Sequence, residues 1–470
     1  MARLFGTDGM RGEAGRFPLD AATVSVAGRS LARQLAARLN EAGGDGAPRI
    51  VTGRDTRESG SWIEHAFIAG AREAGAEVQS AGVIPTPGVA YLARTLSMDA
   101  GVVISASHNP YQDNGIKIFA PSGRKLDDAT ERRIEADIEA EKKSPSAETE
   151  TAATPLDEAE AVDETEARDA FALRARYLDF LAEEIGGDLS LDGLSVAVDC
   201  ANGAAFELAP ALFKRLGARV VAMNDTPDGR NINRDCGSLH IEGLQQKVIE
   251  ERADLGVAFD GDADRALFVD ERGTFVDGDA TLWVMAKYLD ERGRLDGKMV
   301  VATVMSNLGL EKALRSKNLR LLRTDVGDKY VLEELLRTGA SLGGEQSGHL
   351  IFPRLSLAGD GMMTTLCLLR AMRESGLGLE ELTRGFTRYP QVLVNVRVRE
   401  KRPFDEVEAI SRAARETEAQ LGETGRLLLR YSGTEALARV MIEGEGQNLI
   451  EQYANNLASV IRDALGNAEN

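Results

Sequence analysis

The chain has 470 residues, 43% of them hydrophobic and 28% charged, the composition of an ordinary soluble globular protein with about three or four domains. Its formal net charge of −19, from 75 acidic and 56 basic residues, argues against a nucleic-acid or anionic-membrane partner, which would require clustered Lys and Arg. A small phosphorylated substrate needs only a few local cations and stays open. Cys200, Cys236 and Cys367 are widely spaced and odd in number. They suggest neither a disulfide framework nor a zinc knuckle, and fit a reducing, cytoplasmic setting. The opening residues carry no signal pattern, and no run approaches the roughly 18 apolar residues of a membrane span.

In chain order, Phe5–Gly12 is a glycine-rich loop containing one burial-prone arginine, Arg11. Ala21–Asn40 has apolar residues at helical spacing and stops before Gly43-Gly44. A short β-branched run, a Gly- or Asp-rich loop and a helical stretch then recur at 49–55, 102–107, 196–200, 257–260 and 300–306. That alternation predicts an α/β protein with mixed, mainly parallel sheets and functional loops at the carboxyl ends of strands.

At the second of these sites, Ser105, Ser107 and His108 emerge from the apolar run Gly101–Ile104, and Asn109-Pro110 forces a turn. A hydroxyl beside an imidazole at a sheet mouth suits a nucleophile or phosphoryl carrier. Between Glu148 and Asp169 lie nine acidic residues and one Arg, which reads as a solvated linker or surface loop. The stretch Phe171–Ile185 follows as a helix with Leu173, Tyr177, Leu181 and Ile185 on one face.

In Asp260-Gly-Asp262-Ala-Asp264-Arg265, three carboxylates at alternating positions can turn toward one point. Such a cluster needs a cation, and an all-oxygen site suits Mg²⁺. A calcium loop is disfavoured because Arg265 holds the position where its sharp turn needs Gly and the flanks are strand-like. An Asp-x-Asp phosphatase with Asp260 as nucleophile shares the layout. Further on, Gly343–His349 offers Glu345, Gln346 and Ser347 between glycines, a pattern for sugar hydroxyls. Tyr389-Pro390 reads as a helix break. Val392–Val398 alternates as a half-buried strand and, with a helix, two strands and a final helix, predicts an α+β tail. Within it, Arg430, Ser432, Gly433, Thr434 and Arg439 form a candidate phosphate cradle.

FGTDGMRG (5–12), IPTPGVAYL (84–92), ISASHNPYQDNGIK (104–117), GGEQSGH (343–349) and RYSGTE (430–435) closely resemble the α-D-phosphohexomutase superfamily, over nearly the whole chain. Gln346 is similar to the branch acting on glucosamine phosphates, with relatives acting on glucose or mannose phosphates as the alternative. The resemblance implies three topologically similar α/β domains and a smaller C-terminal α+β domain around a central cleft. The corresponding boundaries are 1–170 (with an acidic linker at about 145–170), 171–275, 276–385 and 386–470.

The resemblance further implies an isomerase that interconverts glucosamine 6-phosphate and glucosamine 1-phosphate and feeds UDP-N-acetylglucosamine and cell-wall precursor synthesis. In that reading Ser107 is the phosphorylated carrier, and Asp260, Asp262 and Asp264 bind Mg²⁺ together with the phosphoserine oxygen. Arg11, His108, Lys117 and Arg265 surround the reacting phosphoryl group. Glu345, Gln346, Ser347 and His349 contact the sugar, and Arg430, Ser432, Gly433, Thr434 and Arg439 hold the other phosphate. A sugar 1,6-bisphosphate is the implied intermediate, and a homodimer is compatible with the pattern. Ala436 replaces a usual proline, Lys329 a usual arginine, and the acidic segment is longer than usual. A sugar-phosphate sensor would need neither Ser107 nor the three aspartates.

Overall fold

The computed structural model describes residues 3–6, 8–143, 164–432 and 435–466. These divide into two compact units, one comprising Met1–Gly297 with Gly327–Arg384, the other Lys298–Val326 with Gly385–Asn470.

The first unit contains two large sheets. One comprises β1 (Phe5–Gly6), β2 (Gly9–Glu13), β3 (Arg49–Arg54), β4 (Glu77–Val83), β5 (Ala100–Ile104) and β6 (Asp113–Phe119), in the spatial order β1-β2-β6-β5-β3-β4. Parallel pairing is confined to β5–β3–β4, while β6, β2 and β1 add antiparallel. All five residues of β5 are buried, as expected of an apolar strand covered on both faces. The helix Ala21–Glu41 starts where Asp20 accepts a bond from the Thr23 N–H at 2.9 Å. Its Val24, Ala27, Leu31 and Leu35 pack with Ile63 and Phe67 of the helix Gly60–Glu73.

The second sheet comprises β7 (Ser195–Asp199), β8 (Arg219–Met223), β9 (Leu255–Phe259), β10 (Ala266–Asp270) and β11 (Phe275–Val276), ordered β11-β10-β9-β7-β8. Here β9–β7–β8 is parallel and β9–β10–β11 antiparallel.

The other unit contains the parallel pair β12 (Met299–Thr303) and β13 (Arg320–Thr324). The first unit also holds the antiparallel pair β14 (Gly343–Gly344) and β15 (Leu350–Ile351). The α+β tail of the second unit is an antiparallel sheet in the order β16 (Gln391–Arg397), β18 (Leu437–Gly444), β17 (Gly425–Tyr431). The helices Glu408–Leu421 and Gln447–Leu465 close a core of Val396, Ile410, Val440, Ile442, Leu457 and Ile461.

Three expectations need adjusting. Residues 164–169, read as linker, open the helix Glu164–Asp179, where Glu164 and Glu166 occupy the first turn and so face the positive end of the helix dipole. Residues 144–163 of that acidic segment lie outside the described residues. Beyond Asp179 the helix continues as a π-helix, Phe180–Gly186. Leu173, Tyr177 and Leu181 are buried as expected, but Ile185 is only partly so, since i→i+5 winding carries it off the stripe. Finally, the helix Leu379–Leu382 ends well before Tyr389-Pro390.

Candidate functional site

Ser105–Gln112 connects β5 to β6, and Asp260–Arg265 is the hairpin loop between β9 and β10, closed by the pair Phe259↔Ala266. The two loops meet. Ser107, 1% exposed, donates from Oγ to Asp260 Oδ2 at 2.5 Å. Its backbone is left-handed, with φ of 54°, a strained conformation for a residue with a side chain. A side chain at Gly261 would come within 2.4 Å of the Ser107 carbonyl oxygen, so the approach of the loops depends on that glycine. His108 Nδ1 lies 3.3 Å from Ser107 Oγ and 3.2 Å from Arg265 Nη1. Burial, then Arg265 and Arg11, push the His108 imidazole down to about 4, leaving it neutral near pH 7.

Asp260, Asp262 and Asp264 are all buried and present one oxygen each within 4.8 Å of one another. Burial and then the neighbouring Asp264 and Asp262 charges raise the Asp260 carboxyl well above its ordinary range. Burial also disfavours charge on Asp264, but Lys117, His349 and Arg265 outweigh it and hold that acid well below its usual value. Asp262 Oδ1 and Asp264 Oδ1 are buried without a hydrogen-bond partner. Orphaned carboxylate oxygens beside a cluster of like charge fit a hard cation, so the three residues can hold a metal ion.

Lys117 comes from β6, opposite Val103 of β5. Its Nζ reaches Asp262 Oδ2 at 2.7 Å, Asp8 Oδ2 at 3.2 Å and Asp264 Oδ2 at 3.5 Å. Burial opposes its charge, yet these three acids raise its pKa. From β2, Arg11 bonds to Asp8. Lys125 bridges Asp8 at 2.6 Å and Asp328 at 2.7 Å. Asp8, Lys117, Lys125 and Asp328 line a cavity of about 480 Å³ that also includes Asp264, Lys329 and His349.

Residues 345–349 form the loop between β14 and β15. Glu345 Oε1 accepts the Gly327 N–H at 3.2 Å, and Ser347 Oγ lies 3.4 Å from Glu345 Oε2. Gln346 Nε2 is 3.4 Å from Asp277 Oδ2. His349 stands between Asp264 (3.6 Å) and Asp328 (3.8 Å). Burial would lower it, but Asp264, Asp328 and Glu345 raise it to about 9. Lys329 pairs with Asp128, so the expected loss of an arginine there leaves an ion pair in place.

In the second unit Arg430 of β17 sits directly opposite Arg439 of β18. Burial, then the Arg439 charge, lowers the Arg430 pKa. Arg439 Nη2 lies 3.4 Å from Ser432 Oγ and 3.5 Å from Glu435 Oε2, and its Nε is buried without a partner. Two facing arginines with spare donors suit an anion. Gly433 and Thr434, expected in this cradle, lie outside the described residues.

Sequence reasoning singled out neither Asp8 nor Thr86, although both stand inside recognisable motifs. Thr86 donates to Asp262 Oδ2 at 2.5 Å. It also missed Lys125 and Asp328, whose mutual contact spans 203 positions and leaves no local signal.

Four family models match in order. They describe the α/β/α domains I, II and III of phosphoglucomutase/phosphomannomutase at residues 2–145, 175–273 and 277–389, and the C-terminal domain at 393–460. The chain belongs to the phosphoglucomutase/phosphomannomutase family. Among curated relatives, it is 50% identical over 463 residues to a phosphoglucosamine mutase of Solibacter usitatus, covering 98% of this chain and 99% of that one. To a phosphoglucosamine mutase of Anaeromyxobacter it is 45% identical over 469 residues, covering 99% and 96%. A phosphoglucomutase/phosphomannomutase family protein of Burkholderia thailandensis shares the fold, with a TM-score of 0.75 at 23% identity over 98% and 97% of the chains. So does the Aspergillus fumigatus N-acetylphosphoglucosamine mutase solved with GlcNAc-6P and magnesium, with a TM-score of 0.62 at 20% identity over 98% and 96%.

Proposed function

We propose that the chain acts as a phosphoglucosamine mutase, an isomerase interconverting glucosamine 6-phosphate and glucosamine 1-phosphate. The observation that carries this reading is the Ser107 hydroxyl held 2.5 Å from one of three clustered aspartates, in a chain half identical to a phosphoglucosamine mutase along its length. Ser107 would carry a phosphoryl group. Transfer breaks its Ser107 O–P bond and forms a bond from phosphorus to a sugar hydroxyl, giving a 1,6-bisphosphate; the sugar's other phosphate then returns to Ser107.

Asp260, Asp262 and Asp264 would hold Mg²⁺, which when bound neutralises charge spread over the transferring group. Arg11, Lys117 and Arg265 supply further positive charge around it. Neutral His108 can accept a proton. Glu345, Gln346, Ser347 and His349 would orient the sugar, and Arg430, Ser432, Gly433, Thr434 and Arg439 would grip the phosphate not reacting. We place the domain boundaries near 170, 275 and 385 and the enzyme in the cytoplasm; among the described residues no helix is long and apolar enough to cross a membrane.

The deciding experiment measures turnover of glucosamine, glucose and mannose 6-phosphates side by side with Mg²⁺. Glucosamine 6-phosphate should lead in kcat/KM by more than about tenfold, a margin of roughly 1.4 kcal/mol. A lead for glucose or mannose phosphate would overturn the assignment.

A further inference from the structure

None of the side-chain hydrogen bonds of Arg57 goes to the aspartate cluster or to the Ser107 hydroxyl, yet its side chain and that of Asp55 are both 0% exposed. A guanidinium has five N–H donors, and all five are spent. Nε donates to Asp55 Oδ2 at 2.9 Å. Nη1 donates to the carbonyls of Pro110 and, at 3.0 Å, Asp113. Nη2 donates to the carbonyls of Ser107 at 2.9 Å and Asn109 at 2.8 Å.

The carboxylate completes the circuit. Asp55 Oδ2 also accepts Ser105 Oγ–H at 2.6 Å, and Ser105 Oγ in turn accepts the Ser107 N–H at 2.9 Å. Both the N–H and the C=O of Ser107 are therefore fixed from one buried ion pair. Asn233 adds a second clamp from outside the loop, with Nδ2 at 2.9 Å from the Ser107 carbonyl and 3.1 Å from that of Asn109. A left-handed serine persists only where its surroundings over-determine it. Here they do so with a charged fork whose planar geometry a lysine cannot copy.

We infer that Arg57, acting with Asp55 and Ser105, is a positioning residue for phosphoryl transfer: it holds the 105–113 backbone in the conformation that presents Ser107 Oγ to Asp260. The inference rests on the reading of Ser107 as the carrier. It explains why a cationic side chain is buried away from the chemistry, where four backbone carbonyls and a single acid share its charge.

The test compares Arg57→Lys and Ser105→Ala with the wild type and with Leu31→Ala, a core variant destabilised far from the loop. Misplacing a reacting atom by an ångström costs on the order of 10²-fold in rate. Arg57→Lys should therefore lose about 10²-fold in kcat while KM for the sugar phosphate stays within about twofold. Ser105→Ala, which leaves no buried charge unpaired, should lose about tenfold with the same split. Single-turnover phosphoryl transfer from a hexose 1,6-bisphosphate to Ser107 should slow in parallel in both, but not in Leu31→Ala at matched loss of melting temperature. If Arg57→Lys fails to fold, Ser105→Ala decides alone. Unchanged kcat, or a rise confined to KM, would overturn the inference. Absence of phosphate on wild-type Ser107 by peptide mass analysis would instead overturn the carrier reading beneath it.

Discussion

Replacing Asp260 by asparagine should stabilise the metal-free protein and greatly weaken its response to Mg²⁺. The acidic oxygens lie within 4.8 Å of one another, so at an effective dielectric near 20 each like-charged pair costs at least about 3.5 kcal/mol. Asp262 and Asp264 have Lys117 at 2.7 and 3.5 Å, whereas the cation that chiefly offsets Asp260 is Arg265. Asp260 is thus the acid least compensated without a metal. Asparagine keeps an acceptor for the Arg265 N–H, now 3.2 Å from Oδ1, and can turn its amide toward Ser107. Protonation already relieves part of the repulsion in the wild type, so the gain should be about 1–3 kcal/mol. Thermal melts in chelator should show it as a rise of roughly 2–10 °C. Added Mg²⁺ at about 100 times its Kd should stabilise the wild type by about 2.7 kcal/mol and the variant by far less. An asparagine variant that melts below the wild type in chelator, yet gains as much from Mg²⁺, would refute the reasoning.

Ser107→Ala should lose at least about 10³-fold in rate, the scale of removing a group acting in the transition state; intact mass should show one phosphate on the wild type and none on the variant. Arg430→Ala should weaken sugar-phosphate binding roughly 10- to 150-fold, equivalent to about 1.5–3 kcal/mol for a charge-assisted bond. It should leave phosphate on Ser107, and loss of that phosphate with unchanged affinity would contradict the assignment. Asp360 caps the helix Gly361–Ser375 and accepts the Tyr177 hydroxyl at 2.9 Å; burial raises its carboxyl to about 6, against hydrogen bonds from Met363 and Tyr177. Because the folded state holds that proton more tightly, the stability it contributes below about pH 4 is lost as pH rises through about 6. Asp360→Asn should flatten the stability–pH curve there by up to about 3 kcal/mol, and an unchanged slope would exclude Asp360 as its source.

The chemistry-bearing loops were legible because their residue types sit side by side. Ser-His-Asn-Pro follows an apolar run, the three aspartates alternate with small residues, and Glu345–Ser347 is bracketed by glycines. Their setting was less legible. All four candidate loops, at Ser107, Asp260, Glu345 and Ser432, connect antiparallel strands, whereas the repeated run-loop-helix pattern predicted a helix after two of them, those at Ser107 and Asp260, although the flanks of the second read as strand-like. An apolar pentapeptide buried on both faces looks the same whether its next neighbour is parallel or antiparallel, so β5 could not announce β6, nor could β9 fix the direction of its pairing with β10. The helix start at Glu164 was hidden for another reason. Acidic residues mark both solvated linkers and the first turn of a helix, and composition alone does not separate the two.

Long-range charge pairing was the least legible feature, and it shapes the site most. Around the cavity, Asp264, Lys117, Asp8, Lys125, Asp328 and His349 follow one another in a closed ring of alternating sign, with neighbours between 2.6 and 3.8 Å apart. The chain's net charge of −19 conceals this local balance completely. Lys117 meets Asp262 across 145 positions and Lys125 meets Asp328 across 203, so no local pattern announces either pairing. Desolvation offsets much of what such pairs gain, and their net worth to stability is small. Breaking one is another matter, because it strands a partner. The ring therefore constrains position more than it adds stability: each carboxylate of the candidate metal site that touches it, and the imidazole beside it, has one arrangement in which every charge is answered.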